Sequence, residues 1–396
     1  VGEPVVTHRR VTIVTAGHPS TCPRMVKAAD AAVEAGCRVR FVSVDYIDWA
    51  AGFDVNVATR RRWRWTPISL QRAQHPVRSR WVSARQRAAR SLATFAGASR
   101  IPHRVAVQGY ARTHAEVVAA ILHEPFDLVY GGTVAALAAV AEAATRARRP
   151  YGLDLEDFHL AESEDKDGWL THALAARVVP AAAASAAFVT TASNPMSRQY
   201  ERDCGVQCKT IHNVMPLPAA PVVSKSSGPL RLYWFSQTIG PGRGLEEVID
   251  AVAVAGIAAE LHLRGNGCES YLSILRDRVQ ALAGNLTLHV HPPASPDDMV
   301  ALCRDHHVGL SPEQPSVLNR DLCVSNKVLT YLSAGLAVAA THTQGHASVG
   351  AQSPGAIALY EPGDITGLAA VLRTWHDDRE ALCAARRAAW HAAQTR

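Results

Sequence analysis

Ser325-Asn326-Lys327-Val328-Leu329-Thr330-Tyr331-Leu332-Ser333-Ala334-Gly335-Leu336-Ala337-Val338-Ala339-Ala340-Thr341 reads as a short helix, a glycine stop and a buried strand. Ser325 and Asn326 are good capping residues, and Lys327 follows them directly. Free backbone N–H groups beside a cation make such a helix start a ready anion site. The chain otherwise avoids lysine, with 5 Lys against 36 Arg. A surface lysine on an ordinary capped helix fits the same pattern equally well.

Working outward, strands and helices alternate over the whole chain. In the first half the apolar runs Val11–Thr15, Arg38–Val44, Asp127–Gly131, Pro150–Asp154, Ala187–Ala192 and Lys209–Asn213 read as strands. A helix from Arg24 to Ala35 is stopped by Gly36, and another spans Val134 to Arg146. After a break the alternation restarts with strands at Leu230–Ser236, Glu260–Arg264, Asn285–Val290, Val308–Ser311 and Ala356–Tyr360. Helices are expected at Leu245–Ala255, Tyr271–Leu282, Asp297–Arg304, Ile365–Trp375 and Asp378–Ala393. Such alternation implies parallel sheets covered by helices on both faces.

The segment between the halves is rich in Pro, Ser and Ala and reads as a linker over 216–229. The expected organisation is therefore an N-terminal domain over 1–215 and a C-terminal one over 230–375. A closing helical segment, 376–396, is expected to pack toward the N-terminal domain. At 396 residues, two domains are the natural reading. Doubly wound folds bind ligands at the carboxyl ends of their strands, so a cleft between two of them is the default active site.

No apolar run approaches the roughly 18–20 residues of a membrane span. The opening residues carry no secretory signal pattern. The eight cysteines are scattered, and only Cys204 and Cys208 lie close, without the second pair a zinc site needs. Free thiols in a reducing cytoplasm are the expectation.

Charge is uneven. Residues 1–224 carry 27 basic and 19 acidic side chains, whereas residues 225–396 carry 14 and 16. Val55 to Ala115 holds 13 Arg and no Asp or Glu, centred on Arg60-Arg61-Arg62-Trp63-Arg64-Trp65. Arginine with tryptophan suits an anionic lipid surface, with Trp63, Trp65 and Trp81 as interfacial anchors. Nucleic acid would use the same pair, but no nucleic-acid motif accompanies it. An arginine-biased solvated surface is the remaining alternative.

Several loops could carry chemistry. Gly240, Gly242 and Gly244 join a strand to a helix start in Ile239-Gly240-Pro241-Gly242-Arg243-Gly244-Leu245, where a phosphate is the obvious guest and Arg243 could grip it. The spacing is neither that of a dinucleotide fingerprint nor that of a P-loop. Gly265-Asn266-Gly267 forms a second glycine turn. Gly17 and His18 form a third at the first strand's end, where a satisfied loop histidine is the favoured reading. Leu153-Asp154-Leu155-Glu156-Asp157 sets repelling carboxylates at a strand end, where acidities shift.

Together these residues resemble a GT-B nucleotide-sugar glycosyltransferase of the family 4 type, over nearly the whole length. Pro23-Arg24 to Lys27 with Gly36, Asn213, Arg243-Gly244-Leu245, and Arg264 to Gly267 each resemble a block of that family. Ser325-Asn326-Lys327 with Tyr331 to Gly335 is the most specific match. Three positions depart from the pattern. Thr330 stands where a ribose-binding glutamate is usual, Gln237 or Thr238 where an arginine is usual, and Gly132 where an acceptor-side histidine is often found.

The resemblance implies two Rossmann-like domains facing across a cleft, and transfer of a sugar from a nucleoside diphosphate to a hydroxyl of a glycan or lipid-linked acceptor. It implies retention at the anomeric carbon and no required metal or other cofactor. Arg243 and Lys327 are the expected catalytic cations, with Glu156 and Asp157 on the acceptor side. Gly240, Gly242, Gly244, Gly265, Asn266, Gly267, Ser325 and Asn326 are expected around the donor. Gly17, His18 and Gly132 are expected near the acceptor. A nucleotide-sugar epimerase or hydrolase, or an inactive binding module, would use the same architecture. The expected location is cytoplasmic, peripheral at the inner membrane face.

Overall fold

The computed structural model describes residues 9–162, 168–221, 228–282 and 284–396. The expected linker 216–229 thus falls partly on residues 222–227, outside the described residues, as do the opening residues 1–8. The chain divides into two compact units, Val1–Ile211 and His212–Arg396.

The first unit is built on a seven-stranded sheet. Its strands are β1 (Arg10–Thr15), β2 (Arg38–Asp45), β3 (Arg64–Ser69), β4 (Leu128–Gly132), β5 (Tyr151–Leu155), β6 (Phe188–Thr191) and β7 (Lys209–Thr210). All pair in parallel, in the order β3-β2-β1-β4-β5-β6-β7. Val11, Ile13 and Phe41 are buried in a core with Met25, Val26 and Ala29 of helix Pro23–Glu34. Burial on both faces is why the central strands read as continuous apolar runs.

The second unit has a six-stranded parallel sheet in the order β10-β9-β8-β11-β12-β13. Its strands are β8 (Leu230–Ile239), β9 (Ala259–Gly267), β10 (Leu286–His291), β11 (Val308–Ser311), β12 (Ala337–Thr341) and β13 (Ile357–Tyr360). Along β8, Leu230, Leu232 and Trp234 enter the core on one face while Tyr233 enters the core on the other. That alternation follows from the two-residue repeat of a strand. In each sheet the chain reverses its winding once, between β1 and β4 and between β8 and β11. Such switch points open a crevice at the carboxyl ends of the strands.

Several expectations are corrected. Gly265-Asn266-Gly267 is not a turn but the end of β9, paired with Thr238 and Ile239 of an equally prolonged β8 across a bulge after Phe235. Asp297–Arg304 forms two short 3-10 turns, Pro296–Asp298 and Ala301–Cys303, in place of a helix. Arg60 to Trp65 leads into β3, with Arg60, Arg62 and Arg64 exposed and the two tryptophans turned inward rather than free as surface anchors. Trp63 is buried, stacks on Phe41 at 4.8 Å, and donates its indole N–H to Asp30 at 2.8 Å. Trp65 donates to Ser43 Oγ at 2.8 Å. Arg61 and Arg64 are paired with Asp30 and Glu124. The closing helix Arg379–Gln394 packs on helix Asn326–Ala334 and β12 within its own unit.

Candidate functional site

In the second unit the switch point gathers charge. Glu313 lies two residues beyond β11, and Lys327 lies in the first turn of helix Asn326–Ala334. Lys327 is 9% exposed, and its Nζ donates to Glu313 Oε1 at 2.6 Å. The same ammonium stands 5.5 Å from the centre of the Trp234 ring, a cation–π distance. Burial alone would raise the Glu313 acidity constant. The charge and hydrogen bond of Lys327, with smaller help from His346 and Arg243, instead hold it down to about 2. A carboxylate with a depressed folded value adds stability above its unfolded value, lost as pH falls from about 4.3 toward about 2.

The helix start is organised as the sequence suggests. Ser325 is the N-cap, its Oγ accepting from the Lys327 N–H at 3.2 Å. Asn326 is exposed, and its Oδ1 accepts from Asn213 Nδ2 at 2.9 Å. Thr330, at the usual glutamate position, is fully buried and donates to the Asn326 carbonyl at 2.8 Å. Its hydroxyl is thus bonded within its own helix.

The glycine loop splits into two kinds of position. Gly244 caps helix Leu245–Ala255 with φ +70°, and a Cβ there would strike the Pro312 carbonyl. The loop is thereby pressed against the segment that carries Glu313. Gln314 ties the same segment to Glu247 at 3.0 Å. Gly240 and Gly242 face open space instead. Arg243, between Gly242 and Gly244, is half-buried and near enough for its charge to act on Glu313. Gly265 has φ +151°, and a Cβ would strike the Ser236 carbonyl, so glycine there lets β8 and β9 continue side by side. Gly267 packs tightly on Leu272, and Asn266 is exposed. His346 lies beneath, fully buried, its Nδ1–H donating to the Thr341 carbonyl at 2.9 Å. Burial lowers its basicity.

In the first unit, Gly17, Gly132 and Glu156 follow or end three adjacent strands, registered through Thr15 with Gly132 and Gly132 with Asp154. Gly132 has no room for a side chain, since a Cβ would press on Asp154 and Met25 at 3.2 Å. A histidine could not occupy this position without displacing both. Thr133 carries φ +75°, a strained value for a β-branched residue, and its Oγ1 accepts from the Ala16 N–H at 3.0 Å. Strain of this kind clusters at functional sites.

His18 is not available to an acceptor. It is fully buried, its Nδ1–H donates to Asp54 at 2.5 Å, and its Nε2 accepts from the N–H groups of Tyr46 and Ile47 at 3.2 and 3.0 Å. Both ring nitrogens are spent on joining the β1 and β2 loops. Gly17 is half-buried beside it.

Asp154 turns inward. It is fully buried and held by Arg24 Nε and Nη2 at 2.5 and 2.7 Å. Glu156 and Asp157 are half-buried beyond it. Burial, then the neighbouring charges of Asp157 and Asp154, push the Glu156 carboxyl up to about 8. Sequence reasoning missed Glu313, His346 and Thr133. A lone acid just past an apolar strand was the available signal for Glu313. Thr133 offered none, because its backbone angle is invisible in sequence.

No protein-family model and no curated protein sequence matches the chain. Solved structures do. HepE of Anabaena, in complex with UDP and glucose, superposes with a TM-score of 0.67 at 18% identity, covering 98% of this chain and 95% of its own. TarM of S. aureus, in a complex that contains UDP, gives 0.66 at 9% identity, covering 97% and 96%. A Listeria monocytogenes protein provisionally named a UDP-N-acetylglucosamine 2-epimerase gives 0.57 at 11% identity, covering 97% and 92%. Likeness at such low identity speaks for the fold alone: two Rossmann-like parallel α/β domains, as in structures of the GT-B fold class.

Proposed function

We propose that the chain is a glycosyltransferase that moves a sugar from a nucleoside diphosphate, UDP being the first candidate, to an acceptor hydroxyl. The observation that carries this is the Lys327–Glu313 pair with Arg243 at a capped helix start, on the switch point of the second sheet. The leaving diphosphate gains negative charge as the glycosidic bond breaks. Arg243, Lys327 and the helix N-terminus would stabilise that charge without a metal, through preorganised donors. Structures of this fold that hold UDP, HepE and TarM, support the choice of nucleotide. Retention at the anomeric carbon belongs to this reading through the family resemblance.

On the acceptor side Glu156 carries a proton through neutral pH. It donates a hydrogen bond to the incoming hydroxyl when neutral and accepts its proton when ionised. Incubation with UDP-sugars and a glycolipid acceptor tests the proposal. Transfer is expected, with a rate that rises through about pH 8 and loses that rise in Glu156→Gln. Donor isomerised or hydrolysed without transfer would favour the epimerase or hydrolase reading.

Within the basic segment, the membrane proposal centres on helix Pro76–Ala96. Val77, Trp81, Leu92 and Phe95 are exposed, Phe95 by 93%. At about 100° per residue they share roughly 60° of the helix face. Arg78, Arg80 and Arg87 are exposed on the same helix, an arrangement suited to an anionic bilayer surface. Flotation with anionic vesicles at low salt is expected, and Trp81→Ser with Phe95→Ser should abolish it while leaving UDP binding intact. Each arginine near the surface adds on the order of 1 kcal/mol, so salt should weaken the association. A wild-type protein that stays unbound at low salt would overturn this placement. The acceptor would then be presented in solution rather than on a lipid.

A further inference from the structure

The edge of the second sheet carries a cluster of imidazoles that the transfer chemistry does not use. Glu260 and His262 lie on β9, and His289 and His291 lie on the edge strand β10, with His289 registered directly beside His262. Residues two apart on a strand share a face, so all four side chains project from one side of the sheet. His306 joins them from the segment before β11, its ring centre 4.7 Å from that of His262.

We propose that Glu260, His262 and His289 form a binding site for a divalent transition metal of the Zn²⁺ class. One ligand atom from each of the three lies within 4.8 Å of the other two. Among the described residues this is the one group of three such donors so close together. Ligand atoms about 2 Å from a shared ion stand roughly 3.3 Å apart, a distance that small side-chain rotations reach from here. Two imidazoles and a carboxylate suit Zn²⁺, and they leave a fourth position for water.

The surrounding shell is already in place. His262 directs Nε2 toward Glu260 at 3.2 Å and Nδ1 toward His291 Nε2 at 3.0 Å. A metal at His262 Nε2 would leave that ring's proton on Nδ1, where His291 Nε2 can accept it, the usual arrangement around a ligating histidine. The guanidinium of Arg264, on the same face, is engaged by Tyr233 Oη and the Pro292 carbonyl, to both of which it donates.

The site is separate from the donor residues. His262 precedes Gly265 by three positions, about 10 Å along the strand. A bound ion would staple edge strand β10 to β9, adding to their backbone pairing and to the packing of Leu286 in the core. The proposal stands independently of the glycosyltransferase reading.

Titration of Zn²⁺ into the chelator-stripped, untagged full-length protein tests it, read by calorimetry and thermal unfolding. One saturable equivalent is expected, with a rise in unfolding temperature set by mass action. His262→Gln and His289→Gln should each weaken binding by more than about a hundredfold, and His291→Gln by about tenfold. His123→Gln, an exposed histidine elsewhere, should leave it unchanged. His289 is half-exposed, so its variant carries the test if His262→Gln fails to fold. Absence of one-to-one binding, or wild-type affinity in His289→Gln, overturns the proposal and assigns any residual uptake to the free thiols.

Discussion

Arg24→Met is expected to destabilise the first unit by about 3–5 kcal/mol, the largest effect on folding among the substitutions considered. Arg24 is 5% exposed and Asp154 is fully buried. The guanidinium fork meets both carboxylate oxygens, and the spare N–H groups reach the carbonyls of Thr191 and Ile211. One side chain thus ties helix Pro23–Glu34 to β5, to β6 and to the chain just beyond β7. Methionine preserves the stem and removes the charge, leaving Asp154 with only the neutral hydroxyls of Thr190 and Tyr130 nearby. Urea unfolding measures the loss, and Arg24→Met combined with Asp154→Asn should recover part of it. A change below about 1 kcal/mol would mean that the pair is solvated and worth what a surface salt bridge is worth.

Lys327→Met is expected to act twice. It leaves Glu313 unpaired where the two side chains are 11% and 20% exposed, which should cost roughly 3 kcal/mol. It should also weaken nucleoside-diphosphate binding by about ten- to a hundredfold, the worth of one charge-assisted contact. The two effects separate in the double variant with Glu313→Gln, which should regain stability without regaining affinity. If the double variant binds UDP as the wild type does, Lys327 serves only to hold Glu313.

Much of the architecture was legible because its signals are local. Val11–Thr15 and Ala337–Thr341 are apolar runs that only a doubly covered strand explains. Ser325 caps the helix as its residue type suggests, and Gly335 ends it in the left-handed conformation at φ +72°. What stayed hidden depends on partners far along the chain. Arg64 and Trp65 read as surface arginine and tryptophan, yet β3 forms because β2 offers Arg40 and Phe41 in register. Gly265 and Gly267 look like turn residues, but they serve a close approach of neighbouring strands.

The candidate site divides the same way. Lys327 could be picked out from its cap and from the scarcity of lysine. Its pairing with Glu313, fourteen positions away, could not. His18 at a strand end carried the same signal whether it served substrate or structure. Only the three hydrogen bonds around its buried ring decide for structure. The exposed apolar stripe of helix Pro76–Ala96 was masked by the arginines around it, since composition reports charge before it reports which face is dry.

Calorimetric titration of UDP into the wild-type chain and into Arg243→Ala tests the account most directly. Arg243 is half-buried beside Glu313, and its replacement should leave the unfolding transition unchanged. The account predicts one UDP per wild-type chain and an affinity about ten- to a hundredfold weaker in the variant. A wild-type chain that binds no UDP, or a variant that binds it as tightly as the wild type, would contradict a diphosphate site at the second switch point.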